Sequence, residues 1–315
     1  QLDIELGNTT RTFFNNFLTY EKTINKHKFD VLGGWIQETN DFYKAWTRGI
    51  GYATGEISQI QNATSIVGGE WKSRITTISY ISRLNYNYDD KYLIQGNFRQ
   101  DKTSLFSPEN NTGNFYSFSG AWKLSNEKFI AAILPSWIDM IKFRGGYGEL
   151  GNNAVGAYAY SPTVNAFVPY SWGGTSTGTS QSGTIVTDVK DQNIHWEKTA
   201  STNIAAEFGL LNNKLQLSGE YFVRKSTDLL FSVPLPSTSG SSGSIMTNAG
   251  DVENEGFEFT IGYTNNDHAF KYNISANGGT LKNKVTKIGN DNAPITLGPS
   301  RTEVGRSIGE LYAWE

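Results

Sequence analysis

The sequence predicts an all-β protein: the wall of an antiparallel, up-and-down transmembrane β-barrel. Three observations predict it. Apolar and polar residues alternate with period two through roughly ten or more positions, whereas strands of soluble sheets average about five or six; a tilted strand needs the greater length to cross a bilayer. Aromatic residues gather beside tight turns, where a membrane interface places them. Connections alternate short and long, as in a meander whose two ends face different compartments.

The clearest stretch is 74–106. Ile78, Tyr80, Leu84, Tyr86 and Tyr88 share one face, and Ser79, Arg83, Asn85 and Asn87 the other. After the turn Asp89-Asp90, Tyr92, Ile94, Gly96 and Phe98 oppose Gln95, Asn97, Arg99 and Asp101. Upstream, Thr12 to Lys22 and Lys28 to Glu38 predict a hairpin around Asn25-Lys26-His27, with Phe29, Val31, Gly33 and Trp35 on one side. The segment from Thr39 to Lys72 is rich in Gly, Thr and aromatics, lacks periodicity and reads as a long loop. Downstream of a loop at 107–111, Tyr116, Phe118, Gly120 and Trp122 alternate with Ser117, Ser119 and Ala121. The connection from Ser125 to Asp139 is too long for a minimal turn. It reads as a small helical element on the short-turn side, directed toward the bore or the membrane edge.

Ile141, Phe143, Gly145 and Tyr147 continue the pattern, followed by an irregular stretch from Leu150 to Asn193 that contains the low-complexity run GGTSTGTSQSGT. Two further hairpins follow. One pairs Ile204, Ala206, Phe208 and Leu210 with Leu215 to Val223 around Asn212-Asn213; the other pairs Phe257 to Tyr263 with Phe270 to Ala276 around Asn265-Asn266-Asp267. A Ser/Gly/Pro-rich loop over about Ser232 to Asn254 separates them, and periodicity fades beyond Leu281. About ten strands result. The pattern starts mid-strand and ends without a final amphipathic strand, which predicts an internal or C-terminal-side fragment of a wider barrel.

Composition agrees with this reading. Among 315 residues, aromatics make up 13% and charged residues 18%, and there is no cysteine, so neither a disulfide framework nor a thiolate metal site is available. The mean hydropathy of -0.43 looks soluble, as it does for any barrel whose two faces cancel in a window. A net charge of -3 without a basic stripe gives no argument for nucleic acid.

Two residue sets are candidates for function. Arg83, Arg99, Arg144, Glu220, Arg224 and Glu258 fall on the polar face, where they would line a bore; a water-filled bore also tolerates charge without using it. Tyr43, Trp46 and Tyr52 in one predicted loop, and Phe167, Tyr170 and Trp172 in another, suit stacking on sugar or peptide ligands or anchoring a lid; a small loop core is the plainer alternative. Gly145, Gly146, Gly148 and Gly151 imitate a phosphate-binding run, but no helix follows. His27, His195 and His268 are too scattered for a metal triad. Asp188, Asp191 and Asn193 offer oxygen donors to a loop calcium, although solvated turn carboxylates are far commoner. Glu149, Glu197 and Glu220 lie on different strands with nothing to fix a catalytic separation. No enzyme, cofactor or resident metal is expected.

The chain resembles the SusC/RagA-type family of TonB-dependent outer-membrane transporters. The resemblance rests on six blocks in order: RLNYNYDDKYLIQGNFRQDKTSLF at 83–106, FYSFSGAWKLSNEKF at 115–129, IKFRGGYGELGNN at 141–153, WEKTASTNIAAEFGLLNNKLQLSGEYFVRKSTDLL at 196–230, NAGDVENEGFEFTIGY at 248–263 and VGRSIGELYAW at 304–314. It implies that residues 1–315 are part of a 22-stranded barrel. It also implies a plug that these residues do not include, energy delivered through TonB, a SusD-like surface lipoprotein over the mouth, and import of glycan or peptide oligomers. The rival reading of the residues is a soluble or surface-displayed, β-rich carbohydrate-binding module.

Overall fold

The computed structural model describes residues 1–53, 59–171, 180–186, 189–235, 238, 244–267, 269–289 and 291–313. A single antiparallel sheet of ten strands dominates. Its members are β1 (Leu2–Ile24), β2 (His27–Ile50), β3 (Ser65–Tyr88), β4 (Tyr92–Thr103), β5 (Thr112–Lys123), β6 (Ile138–Asn152), β9 (Glu197–Leu210), β10 (Leu215–Pro234), β11 (Ser244–Asn265) and β12 (Tyr272–Ile288). Each pairs with the next in sequence, except that β6 pairs directly with β9. The hairpin of β7 (Val164–Ser171) and β8 (Ser180–Val186) forms a separate sheet in the intervening connection. Three short strands, β13 (Ile295–Leu297), β14 (Ser300–Thr302) and β15 (Glu310–Leu311), make a third sheet. The only α-helix among the described residues is α1 (Lys128–Ala131), and no described helix is long and apolar enough to cross a membrane.

Register sorts the faces. Tyr88 pairs with His27 and Tyr92, Tyr92 with Trp122, Trp122 with Phe143, Phe143 with Ala206, Ala206 with Gly219, Gly219 with Phe259, and Phe259 with Gly278. Residues in register share a face, so one belt of mostly aromatic and small residues runs across the sheet. Its flanking apolar residues are exposed: Leu84, Ile94, Phe118, Ile204, Ile261 and Ile274 all stand open. The opposite face is polar and concave. A single recess of about 590 Å³ is lined by Glu21 of β1, Asp30 of β2, Asn85 of β3, Gln95 of β4, Ser119 of β5, Arg144 of β6 and Asn203 of β9. Strands stacked about 4.8 Å apart can meet at one recess only if the sheet curls around it. The fold is therefore an unclosed segment of a barrel, greasy outside and polar inside.

Aromatic rings border the greasy band at both ends. Near the short turns, His27 Nδ1 lies 2.8 Å from the Tyr86 hydroxyl, and Tyr92 stacks on Trp122 with centroids 6.4 Å apart. Tyr80, Tyr116, Tyr147 and Tyr221 form the upper border. Tyr80 and Tyr88, or Tyr116 and Trp122, are separated by roughly 20–27 Å along their strands, near the roughly 25 Å height of a barrel's apolar band. Above it the outer face turns polar: Arg74 Nε donates to Asp41 at 2.5 Å, and Lys282 pairs with Glu255 at 3.1 Å.

Several expected boundaries need correction. Thr39 to Lys72 is not a loop throughout, since β2 continues to Ile50 and β3 begins at Ser65. Above the membrane band both faces of these strands meet water, so the hydrophobic alternation disappears while the β-favouring Thr, Tyr, Phe and Trp remain. For the same reason β10 and β11 extend into the expected loop of Ser232 to Asn254, and β7 and β8 occupy part of 150–193; residues 173–179 of the low-complexity run lie outside the described residues. The first turn is Asn25-Lys26 alone, with Ile24 opposite His27 and Asn25 at φ 52. Phe270 lies in the turn, because β12 begins at Tyr272.

The connection after β5 drapes over the short-turn rim on the outer face. Glu127, nearly inaccessible, accepts from the Tyr92 hydroxyl at 2.6 Å, Lys91 Nζ at 3.1 Å and Trp122 Nε1 at 3.3 Å. The Tyr92 hydrogen bond, with help from Lys91 and Trp122, holds Glu127 below the usual carboxylate range against opposing desolvation. Lys26 and Lys91 depress Asp89, and Lys123 depresses its neighbour Asp90. These groups contribute stability above the unfolded carboxylate values, and lose it as pH falls through their depressed folded values.

Two outcomes follow from this architecture. Placing Arg at Phe118, on the lipid face, should cost about 2–4 kcal/mol if near mid-bilayer and reduce heat-modifiable folded barrel, whereas Arg at neighbouring Ser119, on the inner face, should assemble normally; equal losses would mean the faces are reversed. Amide protection factors at Lys91, Lys123 and Glu127 should hold from pH 7 to about 5 and fall only below about pH 4; a decline already complete by pH 5.5 would contradict the assignment.

Candidate functional site

The inner wall carries the charges. Lys142 is opposite Glu207, and Arg144 is opposite Ala205, whose other neighbour is Glu220. Because Ala205 has only a methyl side chain, Arg144 can reach across it. Its Nε donates to Glu207 Oε1 at 2.7 Å and its terminal nitrogen to Glu220 Oε2 at 2.5 Å. Lys142 Nζ donates to Glu207 Oε2 at 3.0 Å and Asn203 Nδ2 to Glu220 Oε1 at 2.8 Å. Two carboxylates and two cations thus form one network across β6, β9 and β10.

Other inner-wall charges stand apart from it. Arg83 faces Asp30 at 3.5 Å, with Asn85 bonded to the same carboxylate at 2.7 Å. Arg99 is held by Asp101 at 2.7 Å and by Ser79 at 3.3 Å. Arg224 lies 6.0 Å from the Phe222 ring centroid, and with Glu258 borders a recess of about 370 Å³. Neither Arg224 nor Glu258 has an ion pair among the described residues. Glu258 is directly opposite Glu220, an arrangement in which like charges repel. Of the six bore candidates, the structure joins Arg144 to Glu220, brings Arg224 near Glu258, and keeps Arg83 and Arg99 in local pairs.

The aromatic candidates are dispersed. Tyr43 and Trp46 belong to β2 and lie on opposite faces, Tyr43 under Lys72 with its ring centroid 5.3 Å away and Trp46 beside Arg48 at 6.0 Å. Tyr52 is in the loop, but its hydroxyl is buried and has no hydrogen-bond partner among the described residues. Phe167 and Tyr170 lie in β7, and Trp172 falls outside the described residues. Tyr158, overlooked in the sequence, borders an outer recess of about 590 Å³ with Tyr43, Asp41, Lys72 and Arg74.

Sequence reasoning also missed what binds the long-loop end together. Trp196 packs edge-on against Phe106 and Phe115, each 5.6 Å away, and its Nε1 donates to the Asn111 carbonyl at 3.1 Å. Gly113 and Gly151 leave space for the Phe115 ring, which a Cβ at either would enter. Asn248 Nδ2 donates to the carbonyls of His195 and Asp228 at 3.0 and 2.7 Å. Large aromatics flanked by Gly were the available signal. Asp191, a calcium candidate, accepts from Thr247 at 2.6 Å and from the Asn193 amide at 2.8 Å; Asp188 is outside the described residues. Among the described residues no group of three or more His, Asp or Glu could hold a metal. His27 belongs to the aromatic border, His195 lies near Asp228, and His268 is outside the described residues.

The curled ten-strand sheet, its apolar exterior between aromatic borders, and its charged interior define a transmembrane β-barrel wall. The profile of the "TonB dependent receptor-like, beta-barrel" family matches residues 3–302, and the chain belongs to that family. It is similar to TonB-dependent receptor P3 of Formosa agariphila, 30% identical with 99% of this chain and 32% of the relative covered. It is also similar to TonB-dependent receptor SusC of Bacteroides thetaiotaomicron, 29% identical with 87% of this chain and 27% of the relative covered. The chain thus spans about a third of these relatives or less. In fold it matches the RagAB peptide importer in its closed-closed state, with TM-score 0.84 and 22% identity over 96% of this chain and 33% of that one. The siderophore receptor PiuA of Acinetobacter baumannii matches with TM-score 0.56 and 17% identity over 96% of this chain and 42% of that one. The family consists of receptors and transporters rather than enzymes, and the soluble binding module has no support.

Replacing Arg144 with Met in the full-length protein should lower folding stability by about 1–2 kcal/mol, the lower part of the range for charged hydrogen bonds because water screens the site. Glu258→Gln should change it by less than about 0.5 kcal/mol. Urea midpoints of the folded, heat-modifiable species would distinguish the two.

Proposed function

We propose that the chain forms part of the wall and outer loops of an energised outer-membrane importer for nutrient oligomers, either glycans or peptides. The main observation for this reading is the polar, concave inner wall within a barrel of the TonB-dependent receptor family. The relatives' names agree, one being SusC and another a peptide importer. Transport would be by gated passage without covalent chemistry. The short turns would face the confined side, where TonB supplies energy through a plug elsewhere in the protein, and the long loops would face outward beneath a SusD-like lipoprotein.

Within this reading, the paired charges around Arg144 stiffen the wall, while Arg224 and Glu258, without an ion pair among the described residues, meet the plug or solute. Tyr43, Trp46, Tyr52, Phe167, Tyr170 and Trp172 remain candidates for substrate or lid contact. Of these, Trp46, which is on the inner face and partly exposed, has the strongest case, and Tyr52, half-buried with its hydroxyl enclosed, the weakest.

Deleting the full-length gene should abolish cellular uptake of fluorescent oligosaccharides or oligopeptides above porin size but leave monomer uptake unchanged. A protonophore should stop oligomer uptake in the parent strain. Oligomer entry that persists under the protonophore would indicate a passive pore, and normal uptake in the deletion strain would refute the importer.

A further inference from the structure

The connection between β5 and β6 presents a second kind of surface. Its polar groups turn inward toward the rim. Asn126 Nδ2 donates to the Asp90 carbonyl at 2.9 Å, Lys123 Nζ to the Asp90 carboxylate at 2.7 Å, and Glu127 is held by Tyr92, Lys91 and Trp122. From this anchored point the chain makes a short helical run: the amides of Ala131, Ala132 and Leu134 donate to the carbonyls of Glu127, Lys128 and Ile130. The large apolar side chains project the other way. Phe129 is 63% exposed, Ile133 75% and Trp137 51%. Phe129 and Ile133, four residues apart on the run that ends at Leu134, are about one helical turn apart and favour one side, and Trp137 follows Pro135 in the turn before β6.

Three large apolar groups on a connection otherwise bound by hydrogen bonds need an apolar neighbour. The position identifies it. Glu127 bonds to Tyr92 and Trp122, which belong to the aromatic border of the lipid-facing band, so the run continues the surface already in contact with lipid. We propose that 127–137 is an interfacial anchor, with Phe129, Ile133 and Trp137 inserted among the phospholipids of the adjacent leaflet and Glu127 as the residue that positions it. Short amphipathic segments of this composition lie in the interface, with their polar side at headgroup level. The anchor would set the depth of the short-turn rim in the membrane, a property separate from transport.

The chain has no cysteine, so a single reporter can be placed in the full-length protein after replacing any cysteine elsewhere. An environment-sensitive fluorophore at Ile133→Cys would be compared, in phosphatidylethanolamine/phosphatidylglycerol vesicles, with one at Ile274→Cys on the lipid face and one at Asn266→Cys in a turn. At Ile133, iodide quenching should be at least threefold weaker than at Asn266, and a nitroxide near the headgroup should quench more strongly than one deep in the acyl chain. Adding Glu127→Gln should raise iodide quenching at Ile133 about threefold and leave Ile274 unchanged. Iodide access equal to that at Asn266 would overturn the proposal. So would shielding from iodide without quenching by either nitroxide lipid, because the covering surface would then be protein.

Discussion

Backbone pairing is the constraint on which this structure depends. A strand in hydrocarbon has no water to satisfy its amides and carbonyls, so each must bond to a neighbouring strand. The ten-strand ladder does this with few register shifts. The shift at Ile138/Met140 is at the start of β6, and those at Ser226/Leu229, Leu229/Leu230 and Asp251/Val252 lie inside β10 and β11, beyond Tyr221 on the long-loop side. Between these shifts, through the apolar band, the register is continuous and keeps alternate residues on the same face from β1 to β12. The separation of lipid face from bore is thus a consequence of pairing, and a one-residue slip in any strand would exchange its two faces.

The same constraint explains the uneven height of the wall. β2 and β3 each have 24 residues, while β4 and β5 have 12. At about 3.3 Å per residue the longer strands extend well beyond a hydrocarbon core of about 30 Å. Above Thr77, β3 has no pairing with β4, which water permits and lipid does not. The long-loop end compensates with side chains: the Trp196 cluster and the Asn248 hydrogen bonds join connections that the ladder leaves apart. At the end of β12, Val285 exchanges backbone bonds with Gly305 and Arg306, so the C-terminal segment covers part of that edge.

Inside the bore, water changes the cost of charge. A salt bridge in a dry core carries a large desolvation penalty, whereas Arg144 and its carboxylates are about a quarter to a third exposed. They can therefore cross-brace three strands without that full penalty. Glu258, which has no ion pair among the described residues, borders a recess open to a mobile charged group. The wall thus combines fixed, mutually neutralised charges with a few left available.

Much of this could be read from residue order alone. Alternation in Ile78 to Tyr88 and Phe257 to Tyr263 revealed strands and faces, because lipid on one side and water on the other impose a period of two. The Asp89-Asp90 and Asn212-Asn213 turns were equally plain, since few residues other than glycine adopt positive φ readily. The upper halves of β2 and β3 were not legible, because strands with water on both sides carry no hydrophobic alternation. Nor was the separation of Tyr43 from Trp46, which depended on the strand continuing past Thr39.

The sequence by itself thus determined that this is a membrane-barrel wall and which residues share a face of its sheet. Only the tertiary structure decided which charges meet, that Arg144 reaches over Ala205 to Glu220, and that Glu127 fastens the β5–β6 connection to the outer rim. The physical reason is that facing is a local property set by strand periodicity, whereas partnership depends on the register of strands distant in sequence.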